Sequence, residues 1–503
     1  MKPHLDTTAD RDTATGAPAR PAITVAALRG PSAHRTGLFS TKSRRRAGKV
    51  AVEGAPSTTR QAEVLNTAII GNPTDERGIV IGEDRVSGAM VTHDPFTAYE
   101  NKEIHSPNVL VLGSLGAGKS SLLKSVYVER PLMLSKRRAV VIDKKLREGE
   151  GEYAELTRLF GSEPYRFDPE DDRATCINLL DPIISGGGRA RHWEMLGAIA
   201  DLLDPTSPIT STDWKVLKLA YGSLMAKFED ARRVPVLPDL LDCFYRVVDH
   251  PEFRRPELAA AGPGPRRAGR LRSFPAGSGS PSGSHRLRPA TLDAIEYAAI
   301  TLKFRLERLV DDDLSGMFDR ETSPWVKLQP KLTTFDISAL PEEGPATSMV
   351  MLAANAWLTG LLKNQPDWRT NFIAEEGWHL LGGPGGRVIQ SKSKLSRSLG
   401  LSIVAAIHHI SDVPKDSQAV AMIKEAQTVH LYRQDRTDDI EDCVTYFGLE
   451  ESNAAALGSL PQGDHLLKVG QTREIRVRHV RTDREIKFTE TDAAMITRPR
   501  ELA

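Results

Sequence analysis

Eight residues, Gly113-Ser114-Leu115-Gly116-Ala117-Gly118-Lys119-Ser120, leave few folds open to this chain of 503 residues. They satisfy G-x-x-x-x-G-K-[ST] at every fixed position. The apolar run Asn108–Leu112 before them reads as a strand, and Ser121 to Val126 after them reads as a helix. A glycine-rich turn between strand and helix lets successive backbone N–H groups face one anion, and the helix N-terminus adds a partial positive charge at the same place. The expectation is a site for ATP and magnesium. Gly113, Ser114, Leu115, Gly116, Ala117, Gly118, Lys119, Ser120 and Ser121 would enclose the phosphates. Lys119 would reach the β- and γ-phosphates and Ser120 would ligate the metal.

The surrounding texture is α/β. Ala139-Val140-Val141-Ile142 closes on Asp143 as a second strand, and Glu152 to Phe160 has helical spacing. Further strand-like runs occur at Leu332–Ile337, Asn371–Ala374, Leu401–Ile407 and Thr428–Tyr432, and a helical run at Thr347–Leu362. Asp464 to Val469 and Glu474 to Val480 read as an antiparallel edge hairpin.

Five segments are expected along the chain. Residues 1–60 form a disordered tail carrying Lys42, Arg44, Arg45, Arg46 and Lys49, either solvated or in contact with nucleic acid or an anionic membrane surface. Residues 61–105 hold two short strands, Ile79–Gly82 and Gly88–Val91. Residues 106–189 and 329–490 make the two parts of an ATPase core. Residues 190–328, with helical spacing in His192–Leu203, Asp213–Phe228 and Thr291–Leu309, make a helical subdomain. Its Gly/Pro/Ser/Arg-rich stretch near 262–290 reads as a disordered loop.

Composition narrows the setting. A formal net charge of +1 gives no global electrostatic case for nucleic acid. Cys176, Cys243 and Cys443 stand far apart, with no C-x-x-C pair and no disulfide framework, which fits a reducing cytosol. No run approaches the roughly 18–20 apolar residues that span a bilayer. The chain is read as cytoplasmic, with any membrane association coming through partners.

The run Phe372-Ile373-Ala374 ends in Glu375-Glu376. Adjacent strand residues point to opposite faces, so two acids serve one site only where the strand ends and the backbone turns. There the first acid would hold the metal's hydration shell and the second would act as base toward the attacking water.

Together, Asn108–Ser120, Val140–Asp143 and Ala374-Glu375-Glu376-Gly377-Trp378 resemble the VirB/TraC-type ATPases of conjugation and type IV secretion, within the FtsK–HerA superfamily of RecA-like motors. Gly149–Tyr153 resembles the family's segment after its second strand. Gly316–Asp319 resembles a turn before the core resumes, and Phe335–Ser338 the next core strand. The resemblance implies a RecA-like P-loop core and ATP hydrolysis by an oligomer, a hexameric ring among the forms it could take. It implies work on a conjugation or secretion channel at the inner face of a membrane, and DNA as a possible further partner. Carried over by position, Glu375 takes the magnesium side and Glu376 is the general base. Arg397, with Arg387 as a further candidate, stands where the family supplies an arginine to the neighbouring subunit. His408-His409 replaces the family's Thr-Gln, with His409 placed toward the γ-phosphate, and Glu375 replaces an Asp. The strands after Arg60 stand where the family has a large docking domain, which implies a shortened form. Two other readings stay open: an assembly scaffold gated by nucleotide with little turnover, and a DNA translocase of the HerA/FtsK kind. An ABC-transporter ATPase is disfavoured, because Leu314-Ser315-Gly316-Met317 only echoes the signature that class needs.

Overall fold

A computed structural model describes residues 75, 77–171, 173–185, 189–247, 289–341, 344–363, 365, 367–375, 396–413, 419–472 and 474–489. The basic cluster at 42–49, Arg387, Glu376 and Trp378 lie outside them. So does the sequence stretch 262–288, whose last expected residues give way to a helix that starts at Pro289. Proline is well placed there, since a first-turn N–H has no intrahelical partner to lose.

Thirteen strands occur among the described residues: β1 (Ile79–Asp84), β2 (Met90–His93), β3 (Val109–Leu112), β4 (Arg137–Asp143), β5 (Leu146–Arg147), β6 (Glu150–Gly151), β7 (Tyr165–Arg166), β8 (Leu332–Asp336), β9 (Arg369–Ala374), β10 (Leu401–Ile407), β11 (Thr428–Leu431), β12 (Asp464–Val469) and β13 (Ile475–His479). Eleven join one sheet in the order β2-β1-β13-β12-β11-β3-β10-β9-β4-β8-β7, and β5 and β6 form a separate small hairpin. From β11 to β7 every pairing is parallel, and from β11 to β2 every pairing is antiparallel. The β12–β13 hairpin, expected at an edge, sits inside the sheet because β1 pairs with the free side of β13. The two short strands read as a separate N-terminal segment thus extend the same sheet.

The parallel strands are mostly apolar and buried on both faces, with a few buried polar residues such as Thr334, Asn371 and Ser402 among them. Side chains of a strand alternate between faces, and the two cores divide accordingly. Leu110, Leu112, Val140, Ile142, Phe372, Ala374, Ile403 and Ala405 enter one core. Val109, Val111, Ala139, Val141, Ile373, Val404 and Ala406 enter the other. The first core continues through the buried helix Ala346–Leu362 into the helices Arg189–Leu203, Ser211–Lys227, Leu237–Val247 and Pro289–Glu307. The second lies beneath the helix that follows β3. That helix is α-helical over Lys119–Leu122, π-helical over Leu123–Glu129 and α-helical again over Arg130–Leu132. All seven π-helical residues are buried, including Lys124 and Ser125.

A layer of imidazoles lies under this helix. The Tyr127 hydroxyl lies 2.6 Å from His430 Nε2, and His479 Nε2 lies 2.9 Å from Ser125 Oγ. The His465 ring packs between His430 and Tyr432, with centroids 4.8 Å from each. His93 Nε2 meets Thr428 Oγ1 at 2.8 Å. Burial lowers His93 to about 4 and His465 to about 3, and pushes His430 and His479 well below 6.5. The unfolded chain takes up these protons near pH 6.5 and the folded chain refuses them. The stability is therefore complete above pH 6.5 and is lost as pH falls toward 4 and below. Chemical denaturation should show the unfolding free energy dropping by about 1.4 kcal/mol per pH unit for each such histidine below about pH 6, with a shallower drop in His465→Leu. A denaturation midpoint unmoved between about pH 7 and pH 5 would contradict this account.

Candidate functional site

The glycine-rich loop leaves the C-terminal end of β3, at the edge of the parallel sheet where such folds place their sites. Its path is pinned from the neighbouring strand: Tyr432 N donates to Leu112 O at 2.8 Å, Ser114 N to Arg433 O at 3.0 Å, and Gly463 N to Ala117 O at 3.0 Å. Only glycine fits position 113, because a Cβ there would stand 2.4 Å from that of Tyr432. Gly118 has φ +111° and caps the helix without a side chain, so the first-turn N–H groups remain directed at the loop. Leu115 projects outward and Gly116 has open space around it.

Lys119 is buried within this loop. Its ammonium donates to the carbonyls of Gly113 and of Ser114, the latter at 2.9 Å, and lies 3.1 Å from His408 Nδ1. A lysine ammonium only donates, so Nδ1 accepts and the proton of a neutral His408 ring sits on Nε2. Of the two histidines at the end of β10, the structure thus brings His408 to the loop. His409 Nδ1 instead pairs with Asp439 Oδ2 at 2.8 Å. The strand end sends successive side chains to opposite sides.

Glu375 follows β9 directly, and β10 lies between β9 and β3. Its carboxylate is buried and held from three directions. Ser120 Oγ donates to Oε2 at 2.9 Å, Lys145 Nζ to the same oxygen at 2.8 Å, and the Tyr153 hydroxyl to Oε1 at 2.6 Å. Lys145 also donates to Ser120 Oγ at 2.9 Å. Burial alone would raise the Glu375 pKa. The ammonium groups of Lys145 and Lys124 and the bonds from Lys145 and Tyr153 outweigh it, and the net direction is down. The carboxylate is therefore charged at neutral pH.

Tyr153 is fully buried, and burial together with the Glu375 charge pushes its phenol well above 10, so it remains a donor. Its own backbone N–H donates to Asp143 Oδ2 at 2.7 Å. Gly151 N donates to Asp336 Oδ2 at 3.1 Å, across the ends of paired β4 and β8. A Cβ at Gly151 would meet Asp143 Oδ2 at 2.3 Å. Burial raises the Asp143 pKa well above its usual value, with Glu375 and Asp336 adding to the rise. Lys124 lies 5.1 Å from the centre of the Tyr153 ring and pairs with Glu152 at 3.0 Å. The segment after β4 is in this way clamped to the sheet so that Tyr153 meets Glu375.

Of the residues singled out from the sequence, Gly113 to Ser121 and Glu375 come together. Arg397 belongs to the short helix Ser396–Leu399. The sequence pattern missed Lys145, Tyr153 as a partner of Glu375, and the contact of His408 with Lys119. Tyr153 carried a signal as the end of the Gly149–Tyr153 segment and His408 as half of the His408-His409 pair, whereas Lys145 carried none.

The donor set fits a triphosphate with a hard divalent cation. Ser114 Oγ is buried without a partner among the described residues, glycines keep the loop open, and Ser120 Oγ and the Glu375 carboxylate are hard oxygens at its mouth. Site and sheet together define a RecA-like P-loop ATPase fold. Among solved structures, VirB4 of Thermoanaerobacter pseudethanolicus is 18% identical with a TM-score of 0.62, over 83% of this chain and 100% of that one. The plasmid coupling protein TrwB in complex with ADP and Mg2+ is 15% identical with a TM-score of 0.48, over 82% and 90%. No family model matches the chain, and no curated protein matches it.

Tyr153→Phe removes one donor to a buried charge and should cost about 1.5–3 kcal/mol at neutral pH in chemical denaturation. The loss should shrink as pH falls below about 4.5, because a carboxyl with a depressed folded pKa contributes stability above its unfolded value and loses it as pH falls through the folded one. A loss that stays constant down to full protonation of the carboxyl would show that the hydroxyl does not serve the carboxylate.

Proposed function

We propose that this chain is an ATP-hydrolysing motor that energises conjugative DNA transfer or type IV secretion. The observation that carries the reading is the meeting of Ser120 Oγ and Glu375 Oε2 at 2.9 Å, one from the phosphate loop and one from a strand two positions away in the sheet. The VirB4 fold, shared along most of this chain, points to the secretion setting.

In this reading residues 106–189 and 329–490 form the ATPase core, with residues 190–328 as its helical subdomain. The loop Gly113–Ser120, with Ser121, binds the phosphates of ATP through backbone N–H groups. Lys119 exchanges its bonds to the Gly113 and Ser114 carbonyls for phosphate oxygens, and His408 orients it from behind. Ser120 and Glu375 hold magnesium, which when bound neutralises charge on the phosphates. Glu376, next in the chain, takes a proton from the attacking water, which adds to the γ-phosphorus as ADP leaves. His409, fixed on Asp439, sits one residue further from the loop. Arg397 supplies positive charge to the site of a neighbouring copy, which requires an oligomer and allows a hexameric ring. Partners are the proteins of a conjugation or secretion channel, and DNA where transfer involves it. No helix among the described residues is long and apolar enough to cross a membrane. The working place is the cytoplasmic face of the membrane, reached through those partners.

Nucleotide binding, phosphate release and sedimentation, measured on wild type, Lys119→Ala and Glu376→Gln, test this. Lys119→Ala should lose nucleotide binding. Glu376→Gln should bind normally and turn over about 100-fold more slowly or worse. Normal ATP binding by Lys119→Ala would refute the site, and unchanged turnover in Glu376→Gln would remove the base.

A further inference from the structure

The mouth of the phosphate loop holds a cation belonging to the chain itself. Lys145 follows β4 by two residues and stands at the foot of the β5–β6 hairpin, where its carbonyl accepts from Glu152 N at 3.0 Å. Its Nζ lies 2.9 Å from Ser120 Oγ and 2.8 Å from Glu375 Oε2, and those two oxygens are 2.9 Å apart. Three atoms thus close a triangle. Ser120 has one hydroxyl proton, which goes to Glu375, and a lone pair on Oγ receives Lys145. A hard divalent cation coordinates a hydroxyl through such a lone pair and is drawn to the same carboxylate. We infer that Lys145 is a resident cation standing in the magnesium position, and that its ammonium must swing out before Ser120 and Glu375 can hold the metal. This rests on the nucleotide-site reading above.

Charge balance supports it. A carboxylate as buried as Glu375 needs a nearby cation, and an unpaired one would be costly. Lys124, the other lysine acting on Glu375, is committed to Glu152 at 3.0 Å and to the Phe488 carbonyl. Mobility supports it as well. The Lys145 side chain is 30% exposed where that of Glu375 is 3% exposed. The lysine reaches solvent by rotating its own stem, while Tyr153 and the sheet fix the carboxylate. Because the backbone of Lys145 is tied to Glu152, exchange of cations is confined to the side chain. The arrangement keeps the site close to neutral in both conditions: a monovalent ammonium serves without phosphates, and a divalent ion replaces it when their negative charge enters.

Magnesium titrated into the full chain with a fluorescent non-hydrolysable ATP analogue reads this directly. Wild type, Lys145→Met, Lys145→Gln and Lys145→Arg are compared, each also melted in a chelator without nucleotide. The neutral variants should bring the magnesium midpoint down about tenfold and melt at lower temperature in chelator, while Lys145→Arg stays near wild type. An unchanged or higher midpoint in both neutral variants, with the analogue still bound, overturns the inference and leaves the nucleotide site standing. Analogue binding weakened equally with and without magnesium also overturns it, since Lys145 would then serve the phosphates. Failure of wild type to bind the analogue at any magnesium concentration removes the nucleotide site and this inference together.

Discussion

A single buried carboxylate organises this molecule's working edge. Glu375 is charged in the interior, and such a charge persists only with partners that meet it in good geometry. Its three partners come from two segments separate in sequence: Ser120 from the phosphate loop, and Lys145 and Tyr153 from the segment after β4. Each must be delivered to within hydrogen-bond reach. The parallel register of β3, β10, β9 and β4 does this by placing four C-terminal strand ends side by side. The Asp143 and Asp336 carboxylates then fasten the chain just past β4, so that the Tyr153 phenol points back to the acid.

The sheet itself was largely legible in the sequence. A strand covered on both faces lacks the regular apolar–polar alternation, so Val109–Leu112 and Ile403–Ile407 stand out as apolar runs. The long helices were legible for the complementary reason, a period of apolar residues near four. What escaped was the order of the antiparallel extension. β1 and β13 are paired across nearly the whole chain, and Gly82↔His479 is a register that no local pattern encodes. The π-helical winding of Leu123–Glu129 was equally silent, since its residues read as ordinary helix formers.

At the site, legibility followed chemistry. The phosphate loop announced itself because its backbone conformation demands glycine at fixed places, as the close approach of Tyr432 to Gly113 illustrates. Glu375 was legible as an acid ending an apolar strand. Lys145 was not, because a lysine in a polar stretch after a strand looks like any solvated lysine until the fold carries it to Ser120. The two histidines show the limit most clearly. Their place at the end of β10 could be read, but which of them faces Lys119 depends on the twist of one strand end, and the structure chooses His408.

The phosphate loop also depends on a layer that takes no part in its chemistry. Tyr432 packs against Gly113 on one side and the His465 ring on the other, and His465 in turn stacks on His430, which binds Tyr127 from the helix after the loop. That path leaves the loop and returns to its own helix through aromatic and imidazole contacts alone. It works because every imidazole in it is neutral: a proton on His465 would bring an unpaired charge into a fully buried site. Burial of the histidines, which makes them refuse protons, is thus the same condition that lets their flat rings pack closely enough to fix the curvature of the loop above them.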